Sequence, residues 1–294
     1  MVASDRPAGS GDPRVAVVVA TRNRRASLLR TLARLEALAE RPPLVVVDNA
    51  SSDGTPVAVR AQFPAVQVIS LTENVGPVAR TIGARSVDRP YVAFSDDDSW
   101  WHEGALARAA ALFDEFSGLG LIAAHVVVGE SERDDDTAIA MRESPLAPDV
   151  ELPGPAVLGF LACGCVVRRS AFLAVGGFRG RLTGSEETLL AVDLAVAGWH
   201  LAYVADVVAH HDPSGGERTA ERRRSDAWNA LWFAWTRRPA RTALARTATL
   251  ARSAITDPAV RRAFADLLRD ARRITEERRV VDGVLEGELR RLGL

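Results

Sequence analysis

Apolar residues over the first hundred positions come in short blocks, each followed by a polar turn and then by an amphipathic stretch. Val15 to Ala20 is an unbroken apolar run that gives way to Thr21-Arg22-Asn23-Arg24, after which Leu28, Leu32, Leu35 and Leu38 recur at helical spacing. A β-branched block this short reads as a buried strand, and the leucine stripe as one face of a helix. The unit repeats. Leu44 to Val47 lead into Asp48-Asn49-Ala50-Ser51-Ser52-Asp53-Gly54-Thr55, whose Ser and Asp suit the cap of a helix running to Gln62. Val66 to Ser70 lead into Glu73-Asn74-Val75-Gly76 and a helix through about Ser86. Tyr91 to Phe94 break off into Asp96-Asp97-Asp98, with a helix expected from about Glu103 to Phe116. Four strand-to-helix units in a row predict right-handed crossovers and a parallel sheet. All four polar turns then fall on the C-terminal edge, where open α/β sheets bind ligands.

The pattern is less regular afterwards. Leu119 to Gly129 and Val157 to Val167 read as strands, with a long surface excursion from Glu130 to Pro155 between them. Its acidic triplet, Asp134-Asp135-Asp136, has no strand to deliver it to the sheet edge and is expected to be a solvated loop. Arg168-Arg169-Ser170 open a short helix, Gly176-Gly177-Phe178 form a turn, and Glu186-Glu187 open a helix ending at Gly198. His200 to Val204 form a last strand, after which His210 and His211 stand in a following stretch. Beyond Pro213 the composition shifts: between Arg218 and Arg252 nine arginines face two acids, Glu221 and Asp226. Trp228, Trp232 and Trp235 share one helix face. Such a face suits docking onto the main domain, and equally suits peripheral contact with a membrane. Pro258 to Leu294 is charged and helix-prone, a helical hairpin by its pattern. The expected organisation is a disordered tail over 1–13, an α/β domain over 14–213 (halves 14–118 and 119–213) and a helical region over 214–294.

Composition narrows the function classes. The 294 residues are 47% apolar and 26% charged with a net charge of -1, which favours neither nucleic acid nor a membrane as partner. Every basic residue other than histidine is arginine. Met1 to Pro13 lacks the apolar core of a signal peptide and no run reaches the length of a membrane span, so a cytoplasmic enzyme is the expectation. Cys163 and Cys165 are too close for an ordinary disulfide framework and read as small core residues.

Three adjacent carboxylates repel one another unless a positive charge sits among them, so a divalent metal on Asp96 to Asp98 competes with a solvated acidic turn as their explanation. Thr21, Asn23, Asp48, Asn74 and Arg80 would border the same crevice, although each alone suits a cap or a turn. Glu186 and Glu187 have a sufficient structural reason in the helix macrodipole. His210-His211 could complete a metal's coordination or simply make a surface turn.

Taken in order, Thr21-Arg-Asn23-Arg, Val-Val-Val-Asp48-Asn-Ala-Ser-Ser-Asp53-Gly-Thr, Asn74-Val-Gly76 with Arg80, Phe-Ser-Asp96-Asp97-Asp98, Gly176-Gly177-Phe178, Glu186-Glu187 and His210 resemble the family 2 glycosyltransferases of GT-A fold, over roughly Val15 to Pro213. The resemblance implies a Rossmann-like, mostly parallel sheet and an inverting, metal-dependent transfer of a sugar from a nucleotide diphosphate, UDP or dTDP, to a hydroxyl of a glycan, lipid-linked or small-molecule acceptor. It implies donor contacts from Thr21, Arg22, Asn23, Asp48, Asn74, Gly76, Arg80, Asp96 and Asp97, with Asp48 accepting from a uracil or thymine imide. Asp98 with His210 or His211 would hold Mg²⁺ or Mn²⁺. The family's catalytic base, usually the Asp of a Glu-Asp pair, falls on Glu187, with Glu186 second. Glu in place of Asp at 187 lengthens that arm by one methylene, and Thr81 stands where many members have Asn. Two other readings compete: a nucleotide-sugar-binding partner protein without catalysis, and a nucleotidyltransferase, which would want glycines after the first strand.

Overall fold

The computed structural model describes residues 14–179, 186–213 and 220–294. The expected disordered tail, 1–13, lies outside the described residues. The described chain divides into two compact units, one of 14–179 with 190–213 and one of 186–189 with 220–294.

The first unit is built on a nine-stranded sheet. Strands β1 (Val15–Thr21), β2 (Leu44–Asp48), β3 (Gln67–Ser70) and β4 (Tyr91–Ser95) are the four apolar blocks, and β2 with β3 on one side and β4 on the other flank β1 in parallel. Helices α1 (Arg25–Glu36), α2 (Thr55–Gln62) and α3 (Val78–Ser86) make the crossovers. Alternate side chains serve opposite faces, as strand geometry requires. Val15, Val17 and Val19 pack with Leu28, Leu32 and Leu35 of α1 and with α4 (Ala105–Glu115), while Ala16 and Val18 pack toward α3. At Gly83 of α3 an added Cβ would come within 2.4 Å of Val18 Cγ1, so glycine sets how closely α3 lies on the sheet.

Beyond β4 the sheet departs from the expectation of simple repetition. A three-residue strand, β5 (Ser99–Trp101), follows the carboxylates before α4 begins. Strand β6 (Leu119–Val128) is followed by β7 (Arg133–Asp134), which pairs with it antiparallel, and by α5 (Asp136–Arg142). The second acidic triplet is therefore held by structure and is no free loop: Asp134 bonds His125 at 2.8 Å and Arg142 at 2.9 Å, and Asp135 caps α5 by accepting from Thr137 N. The expected strand over Val157 to Val167 is mostly irregular; a 3₁₀ turn (Ala162–Gly164) precedes β8 (Cys165–Arg168). Strand β8 enters antiparallel between β4 and β6, and α6 (Arg169–Ala174) follows it. Cys163 and Cys165 are buried free thiols. Strand β9 (His200–His211) is one long strand, parallel to β6, that continues through an irregularity where the expectation had it stop at Val204. The spatial order is β3-β2-β1-β4-β8-β6-β9-β5.

Helix α7 (Glu186–Val196) contributes its first turn, 186–189, to the second unit and the rest to the first. The second unit otherwise consists of α8 (Ala220–Arg237), α9 (Ala240–Thr256), α10 (Pro258–Arg269), α11 (Ala271–Glu277) and α12 (Gly283–Arg291), so three helices replace the hairpin expected after Pro258. Trp228 and Trp232 stack at 4.9 Å and bury themselves with Val260, Ala263 and Ile274, and Trp235 donates to Thr247 of α9. The tryptophan face thus makes the core of its own unit. Trp228 and Trp232, buried in this way, are not a surface offered to a membrane. Among the described residues no helix is long and apolar enough to cross a membrane.

A buried ion pair ties the residue just after α8 to α12: Arg238 Nε lies 2.5 Å from Glu286 Oε2, both side chains under 5% exposed. Burial alone would raise the Glu286 carboxyl, but hydrogen bonds from Arg238, Thr242 and Arg290 outweigh it and hold the pKa at about 2. A depressed carboxylate adds stability above its unfolded value and loses it as pH falls toward the folded one. Thermal melting of the full chain should therefore weaken between pH 4.5 and about 2, a contribution of about 3 kcal/mol. Glu286→Gln should lower stability by a similar amount at pH 7, through the unpaired Arg238, and flatten that acid slope. An unchanged slope in the variant would contradict the assignment.

Candidate functional site

The carboxylates at the end of β4 are met by basic side chains from three different elements. Arg24, at the start of α1, spans two of them, with Nε 2.8 Å from Asp97 Oδ1 and Nη2 2.6 Å from Asp98 Oδ2. Arg80 of α3 pairs with Asp96. His211, at the end of β9, places Nε2 3.5 Å from Asp98 Oδ1. Thr21 donates to Asp97 Oδ2 at 2.8 Å, and Thr31 donates to the Asp97 carbonyl. Burial pushes the Asp97 carboxyl up to about 6, although the Thr21 hydrogen bond and Arg24 pull against it. Burial acts on Asp98 in the same sense, but His211 and Arg24 outweigh it and hold that carboxyl below its usual value. The hydrogen bond to Asp98 raises His211 in turn. The pair shifts in opposite directions, each favouring the charged form of the other.

The other polar turns are stitched to one another. Asn23, in a left-handed backbone conformation, accepts from Ser52 N at 2.8 Å and donates its own N–H to Ser51 Oγ. Asn49 accepts from Val75 N at 2.8 Å and donates to the Gly76 carbonyl, while Asn74 accepts from Gly76 N, so the turn after β3 is pinned to the turn after β2. Asp48 is 2% exposed and its Oδ2 accepts from Ser51 N at 3.1 Å. Its Oδ1 is buried and has no hydrogen-bond partner among the described residues. A buried carboxylate oxygen without a donor is costly. Arg22 is exposed. A cavity of about 640 Å³ opens beside these groups, with Asn23, Arg24, Arg25, Asp53 and Asp212 among its lining.

The histidine pair is split. As neighbours on a strand they point to opposite faces. His211 turns to Asp98, whereas His210 stacks on Trp100 at 5.2 Å and sits 3.1 Å from His102 Nδ1 and 3.4 Å from Glu132. His210 is thus removed from the carboxylates it was expected to share. Asp98 and His211 remain as two donors of metal-binding type, and among the described residues no cluster of three or more His, Cys, Asp or Glu is placed to hold an ion. Two such donors fit Mg²⁺ or Mn²⁺ when phosphate oxygens and water supply the remaining positions. Glu186 and Glu187 form the first turn of α7, Glu186 buried and Glu187 half-buried.

Three contributors were not singled out from the sequence. Arg24 stood in the first motif with no role, and its sign was the only hint, one arginine beside an unbalanced acidic triplet. Asn49 and Ser51 likewise lay inside a motif, and their work is to hold turns together.

Comparison with known proteins agrees with this geometry. The model of the family described as Glycosyl transferase family 2 matches residues 16–176. A protein of Mycobacterium tuberculosis (strain CDC 1551 / Oshkosh) called N-acetylglucosaminyl-diphospho-decaprenol L-rhamnosyltransferase is 31% identical over 245 residues, 69% of this chain and 78% of its own length. The same protein of strain ATCC 25618 / H37Rv matches equally. Among solved structures, the mannosyltransferase PcManGT from Pyrobaculum calidifontis, in complex with GDP-Man and Mn²⁺, superposes with a TM-score of 0.59 at 20% identity, over 98% of this chain and 90% of that one. S. aureus TarS 1-349 in complex with UDP-GlcNAc superposes with a TM-score of 0.57 at 18% identity, over 73% of this chain and 64% of that one. These likenesses show the GT-A fold. With a family model spanning the carboxylate sheet edge and a relative aligned along most of the chain, the protein belongs to glycosyltransferase family 2 and is a transferase.

Proposed function

We propose that the chain is an inverting, metal-dependent glycosyltransferase that moves a sugar from a UDP- or dTDP-sugar to a hydroxyl of a lipid-linked sugar. The observation that carries this reading is Asp48 Oδ1, a buried acceptor without a donor at the sheet edge. A uracil or thymine imide supplies one N–H of the right kind. Thr21, Asn23, Asn74, Gly76 and Arg80 would line the rest of the nucleotide, and Asp96 and Asp97 the ribose and sugar. The lipid-linked acceptor is supported by the name of the mycobacterial relatives.

Asp98 and His211 would hold Mg²⁺ or Mn²⁺, as support for which PcManGT was solved with Mn²⁺. Such an ion, when bound, offsets the charge that gathers on the departing diphosphate. Arg24 already supplies positive charge to Asp97 and Asp98, and would have to give way or share them. The acceptor oxygen forms a bond to the anomeric carbon while the bond from that carbon to the diphosphate breaks, its electron pair leaving with the diphosphate. The acceptor proton passes to a carboxylate, for which we propose Glu187, with Glu186 as the alternative. Attack and departure on opposite faces invert the configuration.

A screen of UDP-, dTDP- and GDP-sugars for metal-dependent binding and slow hydrolysis tests the reading. Asp98→Ala should lose metal-dependent donor binding. Glu187→Gln should bind donor within a few fold of wild type while turnover falls by about 10²- to 10³-fold; wild-type behaviour of both variants would overturn the site.

Arg24→Ala makes a separate point. With its counter-charge removed, the Asp97-Asp98 pair should bind Mn²⁺ several-fold more tightly in the absence of donor, measured by calorimetry, and the protein should melt at a lower temperature. Weaker Mn²⁺ binding would mean that Arg24 and the ion do not compete for these oxygens.

A further inference from the structure

The second unit holds a cavity of about 310 Å³ between α8 and α9, lined by Thr188, Phe233, Arg238, Ala245, Arg246 and Thr249 among others. This is at the small end of ligand pockets. Arg238 is 3% exposed. Its Nε is occupied by Glu286, yet its Nη2 is buried with no hydrogen-bond partner among the described residues. Arg290 shares the same carboxylate at 2.8 Å, so two guanidinium groups meet one acid. Arg246, exposed on α9, adds a further charge and forms no ion pair among the described residues. Helix α9 carries Arg241, Arg246 and Arg252 and no acidic residue. A buried N–H donor on a cation, a second arginine and threonine hydroxyls make a site for a phosphate.

The same helix indicates what the phosphate is attached to. Leu244, Ala248, Ala251 and Ile255 are all exposed and lie 4, 3 and 4 residues apart, one apolar stripe next to the cavity face at Ala245, Arg246 and Thr249. Leu244 is 57% and Ile255 77% exposed. Thr188, at the cavity wall, directly follows Glu187 in the chain.

We infer that this cavity binds the diphosphate of a prenyl-linked acceptor, its phosphates on Arg238 and Arg246 and its hydrocarbon along the α9 stripe. The inference rests on the lipid-linked acceptor proposed above and assigns it a place. The binding would set the acceptor's head group beside the turn that carries Glu187.

The test is calorimetric titration of the full chain with inorganic pyrophosphate and with farnesyl diphosphate, the donor crevice being filled by saturating UDP and Mn²⁺. Both probes should bind, farnesyl diphosphate at least tenfold more tightly. Arg246→Ala, a substitution that suits an exposed helix and should leave melting unchanged, should weaken both about tenfold. Ile255→Asp should weaken farnesyl diphosphate alone. Loss of pyrophosphate binding in the presence of UDP, or indifference to Arg246→Ala, would overturn the inference while leaving the donor site standing. Equal affinity for the two probes would overturn the lipid assignment and point to a soluble phosphorylated molecule. Failure of UDP itself to bind is a different result, and counts against the proposed function.

Discussion

Three consecutive carboxylates at the tip of one strand cannot be left to themselves in a half-buried crevice, and the need to neutralise them organises this sheet edge. Two like charges on neighbouring residues repel strongly wherever water is partly excluded. The chain answers with basic groups from three distant segments: Arg24 from the β1–α1 turn, Arg80 from α3 and His211 from β9. Each contact fixes a distant segment to the end of β4. The parallel order around β1 brings the first two to the spot, and the antiparallel pairing of β5 with β9 brings the third, with the Asp212 N–H closing onto the Asp98 carbonyl.

The same electrostatics makes the cluster a candidate for binding. A buried ion pair is a poor source of net stability but breaks at high cost when one member goes missing. Carboxylates held this way are therefore preorganised for whatever cation displaces or joins their partners. Asp97 and Asp98 illustrate how position sets chemistry. Adjacent in sequence, they lie on opposite sides of the usual carboxyl range, because burial dominates at one and the His211 and Arg24 contacts at the other. Asp48 adds a complementary demand, an acceptor wanting a donor. The helical unit repeats the theme in a different form, with arginines in excess over the acid they share.

How much of this could be read from residues alone follows the range of the interactions. Strands β1 to β4 and their helices rest on local periodicity, and Val15 to Thr21 or Leu28 to Leu35 announce themselves. Strands β5 and β7 do not: Ser99–Trp101 and Arg133–Asp134 exist because β9 and β6 lie alongside, a non-local reason no short window contains. The antiparallel entry of β8 is of the same kind. His210 and His211 were grouped because the strand was ended at Val204. Continued through the exposed Ala205-Asp206 irregularity, the two-residue period sends them to opposite faces. The tryptophan face on α8 was legible as a face, but whether helix or membrane covered it depended on α9 and α10. Arg24 went unassigned because its partners are more than seventy positions away.

The proposed function stands on these oxygens and the His211 imidazole forming one site for a metal-bridged sugar nucleotide. The most direct measurement is the affinity of the full chain for UDP and dTDP by calorimetry, each with and without Mn²⁺. At least one of the two should bind at least tenfold more tightly with the ion present. Affinities unaffected by Mn²⁺, or no binding of either nucleotide, would contradict it.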